Sequence, residues 1–393
     1  MMTDLSSSAA IAEKALPILE RLIGFDTTSR DSNLALISYV EDLLASLGVG
    51  STRVGNAAGT KANLYATLGP PVAGGVVLSG HTDVVPVDGQ AWSTDPFALT
   101  RRGDRLFGRG TCDMKGFLAL ALAAAPDIVR ARLARPVHLA FSYDEEVGCL
   151  GAPDMIRELV RDLPTPVAVI VGEPTNMEVV SGHKGISSWI VTVTGHEAHS
   201  SLTHLGVSAN MVAVRLMQAL AELAAQLERA GDAQSGFMPP HATLTIGQIR
   251  GGTAVNILAG ECTFVFDLRT PPGDDPDAII APFLALAARE DAAIKARFAG
   301  TGVAVVRRSK TPCMVPDPGG PAELLARRLA GDNGPARMVP YAAEAGQFQE
   351  AGFSTVICGP GSIEQAHQPD EYLEVAQFER GAAYMQRLVE ALR

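Results

Sequence analysis

Apolar residues follow two different patterns along this chain. In residues 11–23 and 34–47 they recur at helical spacing, which predicts amphipathic helices. Elsewhere, short runs rich in valine and isoleucine alternate with longer helical patterns. The runs cover residues 76–78, 137–141, 167–171 and 355–357, and the helical patterns cover residues 115–130, 152–161 and 323–329. Fully apolar strands that alternate with helices predict an α/β fold, with a mostly parallel sheet covered on both faces.

The middle of the chain has a different pattern. Residues 185–194 alternate between polar and apolar positions, as expected for a strand with one buried face. The elements predicted after it are a helix at 207–229, strands at 243–250 and 262–269, a helix at 276–298 and a strand at 303–307. This β-α-β-β-α-β order is typical of a ferredoxin-like α+β domain. We therefore expect such a domain at residues 183–310, inserted into an α/β domain made of residues 1–182 and 311–393.

Charge and composition exclude several classes of protein. Acidic residues outnumber basic ones by 43 to 32, so a basic surface for nucleic acid or an anionic membrane is not expected. The cysteines are widely spaced without a Cys-x-x-Cys pair, which argues against a disulfide framework and favours a reducing compartment. The N-terminus lacks a secretory signal pattern, and the longest apolar run, residues 117–125, is too short to cross a bilayer. We expect a soluble, cytoplasmic protein.

Acidic and histidine residues follow the predicted strands of the larger domain, at the point where each strand ends. Asp113 joins them from a glycine-flanked turn that opens the helix at residues 115–130. Because the carboxyl ends of strands in an open α/β sheet border one crevice, these side chains are expected to converge there. The residues at the strand ends are His81, Asp83, Glu145, Glu146, Glu173 and His367.

Their chemistry matches the ligand set of a centre with two divalent ions. Imidazole together with carboxylate favours Zn²⁺ or a similar metal. Two adjacent ions also need a carboxylate that bridges them, and Asp113 is the candidate bridge. The remaining ligands then form two pairs, which are His81 with Glu173 and Glu146 with His367.

Two neighbours of these ligands have supporting roles in this interpretation. Asp83 lies two residues after His81, on the same side of an extended segment, and is expected to accept the free N–H of its imidazole. Glu145 and Glu146 point in opposite directions if the segment is extended. One of the two can then bind metal while the other acts as the general base for the attacking water.

Each feature alone has a simpler structural explanation. A His-x-Asp sequence after a strand is commonly a surface turn, a glutamate pair is commonly a solvated charge cluster, and Asp113 is most simply a helix N-cap. Their joint placement at strand ends favours a site. Other motifs fit less well: the turn at 108–113 lacks the third glycine of a dinucleotide fingerprint, and His196 and His199 are three residues apart rather than four. Cys112 is interpreted as a packing residue rather than a nucleophile.

Long motifs carry a family resemblance. Residues 79–86, 108–116, 144–148 and 171–175 resemble segments of the dinuclear zinc aminoacylase and carboxypeptidase family. Within that family, residues 111–112, 182–185, 251–256 and 359–367 resemble most the acetylornithine deacetylases, and the matches extend over nearly the whole chain. Glu173 stands where the aminopeptidase branch usually has aspartate, which argues against an aminopeptidase.

The resemblance implies a role for each candidate residue. It makes Glu146 the metal ligand and Glu145 the general acid and base, and it retains the other ligands named above. It also implies that the inserted domain forms a homodimer and that His199 reaches into the partner's site. Asn256 and Arg269 match positions that hold the α-carboxylate of the substrate.

Two positions depart from the family pattern. Thr203 stands where proline is expected, and Ala343 stands before Glu344 where threonine is expected. These departures concern the pocket for the acyl group or side chain rather than the metal ligands.

The function expected from the sequence is that of a metal-dependent amidohydrolase. It would convert N2-acetyl-L-ornithine to L-ornithine and acetate, a step of arginine biosynthesis, with two Zn²⁺ ions or, alternatively, Co²⁺. The related alternatives are a succinyl-diaminopimelate desuccinylase and a broader N-acyl-L-amino acid deacylase. A non-catalytic dimer that binds amino acids is the alternative from another class, and a missing ligand or base would favour it. None is missing in the sequence.

Overall fold

A computed structural model describes residues 6–393 of the chain, which divide into two units. The first comprises residues up to Gly182 together with Met314–Arg337 and Ala343–Arg393, and the second comprises His183–Cys313 and Met338–Ala342. The sequence prediction placed the insertion at residues 183–310. The short segment 338–342 joins the second unit, where the Lys184 N–H donates a hydrogen bond to the Val339 carbonyl.

The helices and strands have the following bounds. The helices are α1 (Ser8–Ile23), α2 (Leu34–Ser46), α3 (Gly116–Arg130), α4 (Ala152–Asp162), α5 (Ala209–Arg229), α6 (Pro276–Lys295), α7 (Pro321–Ala330), α8 (Ala345–Glu350) and α9 (Val375–Ala391). The strands are β1 (Ser51–Gly55), β2 (Ala62–Leu68), β3 (Val76–His81), β4 (Thr100–Arg102), β5 (Arg105–Phe107), β6 (Val137–Ser142), β7 (Ala168–Pro174), β8 (Val180–His183), β9 (Gly185–Thr194), β10 (Thr243–Gly251), β11 (Glu261–Thr270), β12 (Gly302–Thr311), β13 (Arg337–Val339), β14 (Thr355–Gly359) and β15 (Tyr372–Glu374).

The main sheet of the first unit has a parallel centre and antiparallel flanks. Its strand order is β1-β2-β6-β3-β7-β14-β8-β13. β3 runs parallel to both β6 and β7, and β14 runs parallel to β7. β2 and β8 are antiparallel to their central neighbours. The predicted α/β class with a mostly parallel sheet is confirmed.

The central strands are buried along their whole length. All residues of β3, β6, β7 and β14 are buried, which agrees with the mostly apolar residues of these strands. Helix α3 packs into the same apolar core and is buried on nearly all sides. Such dense packing leaves the strand ends little freedom to shift, so any residues placed there are held at fixed separations.

The second unit is a four-stranded antiparallel sheet with the order β10-β11-β9-β12. Residues of β9 and β11 alternate between buried and partly exposed positions, and helices α5 and α6 contribute to the core on the buried side. Trp189 and Phe266 stack within this core with 5.1 Å between ring centroids. The β-α-β-β-α-β order predicted from the alternating pattern is therefore present, and the inserted α+β fold is confirmed.

Some elements of the first unit were not predicted from the sequence. They include the antiparallel strands β1 and β2, a three-stranded sheet of order β15-β5-β4, and helix α9. Gly381 interrupts the apolar pattern of α9, and a Cβ atom at this position would lie 2.5 Å from Leu120 Cδ1. The close approach of α9 to α3 therefore requires a glycine at this position. The same glycine weakens the apolar pattern by which α9 could be predicted from the sequence. Among the described residues, no helix is both long enough and apolar enough to cross a membrane.

We expect acid to destabilise the first unit through His138 on β6. Burial lowers the pKa of His138 to about 4, whereas an unfolded histidine titrates near about 6.5. The unfolded state therefore binds this proton first, so stability is complete above pH 6.5 and is lost as the pH falls towards 4. Between pH 7.5 and 5.0, the free energy of unfolding should fall by about 2 kcal/mol more in the wild type than in His138→Leu.

Urea denaturation followed by circular dichroism at the two pH values measures this difference. His204→Leu, at an exposed position of the second unit, is the control and should follow the wild type. Equal losses in the wild type and in His138→Leu would contradict the assignment.

Candidate metal centre

The strand ends of the first unit bring the predicted acidic and histidine residues together. His81 is the last residue of β3, and Glu173 lies near the end of β7, its parallel neighbour. The pair Glu145 and Glu146 follows β6, on the other side of β3. His367 lies on the loop after β14. The prediction that these side chains meet at one edge of the sheet therefore agrees with the structure.

Asp113 lies between the two histidines. Its Oδ1 atom is 2.9 Å from His81 Nε2, and its Oδ2 atom is 3.3 Å from His367 Nε2. On the first side, Glu173 Oε1 is 3.6 Å from His81 Nε2. On the second side, Glu146 Oε2 is 3.0 Å from His367 Nε2. The geometry thus groups the residues into the two predicted pairs, with the two oxygens of Asp113 directed to different pairs.

The donor set fits divalent metal ions. Potential ligand atoms of His81, Asp113 and Glu146 lie within 4.8 Å of one another, and so do those of His81, Glu145 and Glu173. The Oε1 atom of Glu146 is buried and has no hydrogen-bond partner among the described residues. A buried carboxylate oxygen without a donor is costly unless a cation satisfies it. Nitrogen and carboxylate donors together are the ligands that zinc-like ions prefer.

The electrostatics of the cluster also favour a bound cation. Burial raises the pKa of Glu145 to about 8 and, together with Asp113, raises that of Glu146 to about 7. Burial likewise raises the pKa of Glu173. Hydrogen bonds to Asp113 and Glu146 raise the pKa of His367 to about 11. These carboxylates lie close together in the cluster, where their negative charges repel one another. A divalent cation among them would offset that repulsion.

The hydrogen bond that orients His81 differs from the prediction. Its Nδ1 atom is 2.8 Å from the backbone oxygen of Asp83 and 3.7 Å from the nearer carboxylate oxygen. A carbonyl oxygen can only accept, so Nδ1 carries the proton of the neutral imidazole and Nε2 is the atom available to a metal. Asp83 therefore orients His81 through its main chain rather than through its carboxylate.

The carboxylate of Asp83 instead holds the loop that carries the glutamate pair. It accepts hydrogen bonds from the backbone N–H groups of Glu145 at 3.1 Å and Glu146 at 3.3 Å. The hydroxyl of Ser29 donates to the same carboxylate at 2.6 Å. Cys149 contacts the predicted general base directly, because its thiol lies 3.2 Å from Glu145 Oε1.

Sequence reasoning missed Ser29 and Cys149 as neighbours of the site. Ser29 lies in the polar segment after α1, about fifty residues before the carboxylate that it contacts, and no local spacing connects them. Cys149 is four residues after Glu145, on the turn that brings the Cys149 N–H within 2.8 Å of the Glu145 carbonyl. Of the two contacts, only that between Cys149 and Glu145 could be expected from the sequence, because these residues are close together along the chain.

Glycines shape the backbone around the ligands. Gly110 has a φ of +85° in the turn before Asp113, a conformation that side chains disfavour. Gly172 precedes Glu173, and a Cβ atom there would lie 2.2 Å from the ring of Phe117 on α3. A larger residue would push the strand away from the helix and displace the glutamate.

The remaining predicted residues lie in the second unit. The Nδ1 atom of His199 is 2.7 Å from the Ser201 hydroxyl, and Ser200 N–H donates to the Asn256 carbonyl at 2.9 Å. His199 and Asn256 therefore occupy neighbouring segments, both exposed. Arg269 is on β11, with its Nε atom 3.1 Å from an Asp267 carboxylate oxygen. Their roles stay predictions.

The geometry disfavours two alternative interpretations of the sequence, a nucleophilic Cys112 and a metal-binding motif that contains His196. Cys112 is buried, burial raises the pKa of its thiol well above the ordinary value, and its Sγ lies 3.3 Å from the Ser362 carbonyl. A thiol that stays protonated is a poor nucleophile. The ring of His196 stacks on Phe298 at 4.7 Å, which is a packing role.

Known proteins match the chain along most of its length. Residues 77–391 match the family described as peptidase family M20/M25/M40. An acetylornithine deacetylase from Myxococcus xanthus is 36% identical over 380 residues, which cover 94% of this chain and 95% of the relative. An acetylornithine deacetylase from Salmonella typhimurium is 34% identical over 351 residues, or 87% of each chain.

Solved structures show the same fold at low sequence identity. An M20 family metallo-carboxypeptidase from Sulfolobus solfataricus superposes with a TM-score of 0.78 at 17% identity, covering 96% of this chain and 98% of that one. A dinuclear metal binding peptidase of the M20 family from Bacillus subtilis gives a TM-score of 0.63 at 15% identity, covering 98% and 99%. The family match and the identity to the curated relatives carry the assignment: the chain belongs to peptidase family M20/M25/M40.

Proposed function

We propose that this hydrolase removes the acetyl group from N2-acetyl-L-ornithine and releases L-ornithine and acetate, as a step of arginine biosynthesis. The reaction class rests on one observation, the cluster in which Asp113 lies between His81 and His367 with further carboxylates beside the histidines. The substrate rests on relatives named acetylornithine deacetylase, which are about 35% identical over most of the chain. A cytoplasmic location stays a prediction.

Two divalent metal ions belong to this proposal. The M20 family, a structural neighbour with a dinuclear centre and the donor set of this chain all favour two ions. We assign Zn²⁺, with Co²⁺ as the alternative. Asp113 would bridge the ions, with His81 and Glu173 on one side and Glu146 and His367 on the other, as the distances suggest.

The residues of the chain would divide the reaction between them. The two ions, when bound, would polarise the amide carbonyl and acidify a water molecule. Glu145 would take the proton from the attacking water and return it to the leaving amine, since it lies partly buried close to His81 and belongs to neither proposed ligand pair. Asp83 would fix both Glu145 and His81 through the hydrogen bonds described above.

The second unit would supply substrate contacts. Arg269 and Asn256 are proposed to bind the α-carboxylate, for which a guanidinium and an amide are suitable donors. His199 is proposed to act across a homodimer, donating to the oxyanion in the partner's site. Its segment is hydrogen-bonded through the backbone to that of Asn256, which keeps the two residues near each other.

A substrate panel on zinc-reconstituted protein tests the proposed function. We expect kcat/KM to be highest for acetylornithine, compared with succinyl-diaminopimelate, acetylmethionine and a dipeptide that ends in glutamate. Glu145→Gln should lose about 10²-fold or more in kcat because the positioned base is removed, while its zinc content stays near that of the wild type. A preference for the succinylated substrate would replace the proposal by a desuccinylase. Inactivity on every substrate with two ions bound would favour the non-catalytic dimer, and loss of zinc in Glu145→Gln would mean that the two glutamates are interchanged.

Removing single histidines tests the ligand pairs. His81→Ala and His367→Ala each remove one ligand, so each should lower the zinc content below two ions per chain, measured by inductively coupled plasma mass spectrometry after dialysis. His204→Ala, at an exposed position of the second unit, is the control and should retain the wild-type content. Full zinc retention in His367→Ala would overturn the two-ion assignment.

Subunit mixing tests the role of His199. His199→Ala and Glu145→Ala homodimers should each be nearly inactive, because each lacks one component of both sites. A heterodimer of the two should regain activity, since one of its sites has Glu145 from the first variant and His199 from the second. Native mass spectrometry confirms that exchange has occurred. Exchange without recovered activity would mean that His199 does not act in the partner's site.

A further inference from the structure

We infer that Glu371, with Arg109 and Gln90, is a positioning residue that holds Asp113 and His367 in place for metal binding. The inference rests on the two-ion centre of the proposed function. None of these three residues is a ligand, and all lie in the first unit. They form one connected set of hydrogen bonds from the turn of Asp113 to the backbone of His367.

Glu371 supports the turn that carries Asp113. Glu371 immediately precedes β15, and it is 1% exposed. One carboxylate oxygen accepts from the backbone N–H groups of Cys112 at 2.9 Å and Asp113 at 3.0 Å. The other accepts from the backbone N–H of Gly110 at 3.0 Å and from the guanidinium of Arg109 at 2.7 Å. A single carboxylate thus satisfies three backbone donors of one turn.

The turn needs this carboxylate for its conformation. The three N–H groups are buried, and a buried N–H without an acceptor is costly. Gly110 has left-handed backbone geometry, and the turn continues directly into Asp113. Because the Asp113 N–H is fixed by Glu371, the direction of the Asp113 side chain toward both histidines depends on this contact.

Arg109 and Gln90 extend the support to His367. Arg109 donates to the Gln90 side-chain oxygen at 2.6 Å, and the Gln90 amide donates to the His367 carbonyl at 3.0 Å. The Trp92 indole also donates to the same Gln90 oxygen at 3.0 Å, and the Arg109 guanidinium lies 5.0 Å from the Trp92 ring. These contacts fix the amide orientation of Gln90, since its oxygen faces two donors and its nitrogen must face the carbonyl.

His367 depends on such backbone support more than the other ligands do. Its side chain is 51% exposed, whereas His81 is 1% exposed and confined by packing. Its backbone has a φ of +62°, a conformation that is uncommon for residues other than glycine. Packing confines this half-exposed ligand less than it confines His81, so the Gln90 hydrogen bond to its main chain contributes to setting its position.

The test must separate an effect on metal affinity from an effect on folding stability. This is necessary because loss of a buried ion pair such as Arg109–Glu371 can lower stability without any role in metal binding. The control is Asp332→Asn, because Asp332 likewise accepts from two backbone N–H groups, at 2.9 and 2.8 Å, and pairs with an arginine of the same unit. Both Glu371→Gln and Asp332→Asn replace a carboxylate by an amide of the same size.

We expect Glu371→Gln to weaken binding of at least one ion by roughly 10- to 100-fold, the range for residues that orient metal ligands. Zn²⁺ and Co²⁺ titrations against a competing chelator measure the affinity of each ion, and the visible spectrum of bound Co²⁺ reports its coordination. The melting temperatures of both metal-free variants are measured as well, because both substitutions are expected to lower stability, whereas the metal affinity of Asp332→Asn should stay at the wild-type value. Unchanged affinity in Glu371→Gln, or an equal loss in Asp332→Asn, would overturn the inference.

Gln90→Met provides a second test if Glu371→Gln does not fold. Gln90 is only partly buried, and methionine keeps its length while removing the hydrogen bond to His367. It should weaken one ion by roughly 10-fold and leave the other unchanged, because His367 faces only the Asp113–Glu146 side. Equal binding of both ions in Gln90→Met and the wild type would overturn its role. Wild-type protein that binds fewer than two ions would instead refute the two-ion centre of the proposed function.

Discussion

The shared position of Asp113 is the constraint on which the rest of the candidate site depends. Its two oxygens face different histidines, at 2.9 and 3.3 Å, so a shift that improves one side worsens the other. Buried parallel strands suit this requirement, because close packing fixes the distances between their ends. The arrangement also places carboxylates beside one another, and burial together with the neighbouring negative charges raises the pKa values of Glu145 and Glu146. A divalent cation bound among these carboxylates would offset their mutual repulsion.

The sequence was sufficient to predict the main residues of the cluster for a simple reason. Each central strand begins as a mostly apolar run, and the acidic or histidine residues at its carboxyl end stand out, as His81 does at the end of β3. Which strands are neighbours cannot be read from such runs, since equally apolar segments carry no information about their partners. The prediction did not need this information, because parallel strands present their carboxyl ends at the same edge in any order.

Contacts between distant segments explain what the sequence did not reveal. Strand β2 contains Asn63, a buried polar residue that breaks the apolar pattern and is satisfied by Gly151 and Tyr143, some eighty residues away. The carboxylate of Asp83 was expected to accept a hydrogen bond from its near neighbour His81. Instead it accepts hydrogen bonds from backbone N–H groups of the loop after β6. Spacing along the chain identifies which groups are chemically suited to each other. It does not reveal which of several suitable partners the fold brings nearest.

The chain enters and leaves the second unit at neighbouring positions. β9 and β12 are antiparallel neighbours, and Ile186 pairs with Thr311. An inserted segment whose ends lie close together can be exchanged without disturbing its host. Most of the second unit can therefore be lengthened, shortened or replaced by recombination while the strands that end in the candidate ligands keep their connections. Sequence changes in the second unit and the maintenance of the candidate ligands can thus proceed in separate stretches of one gene.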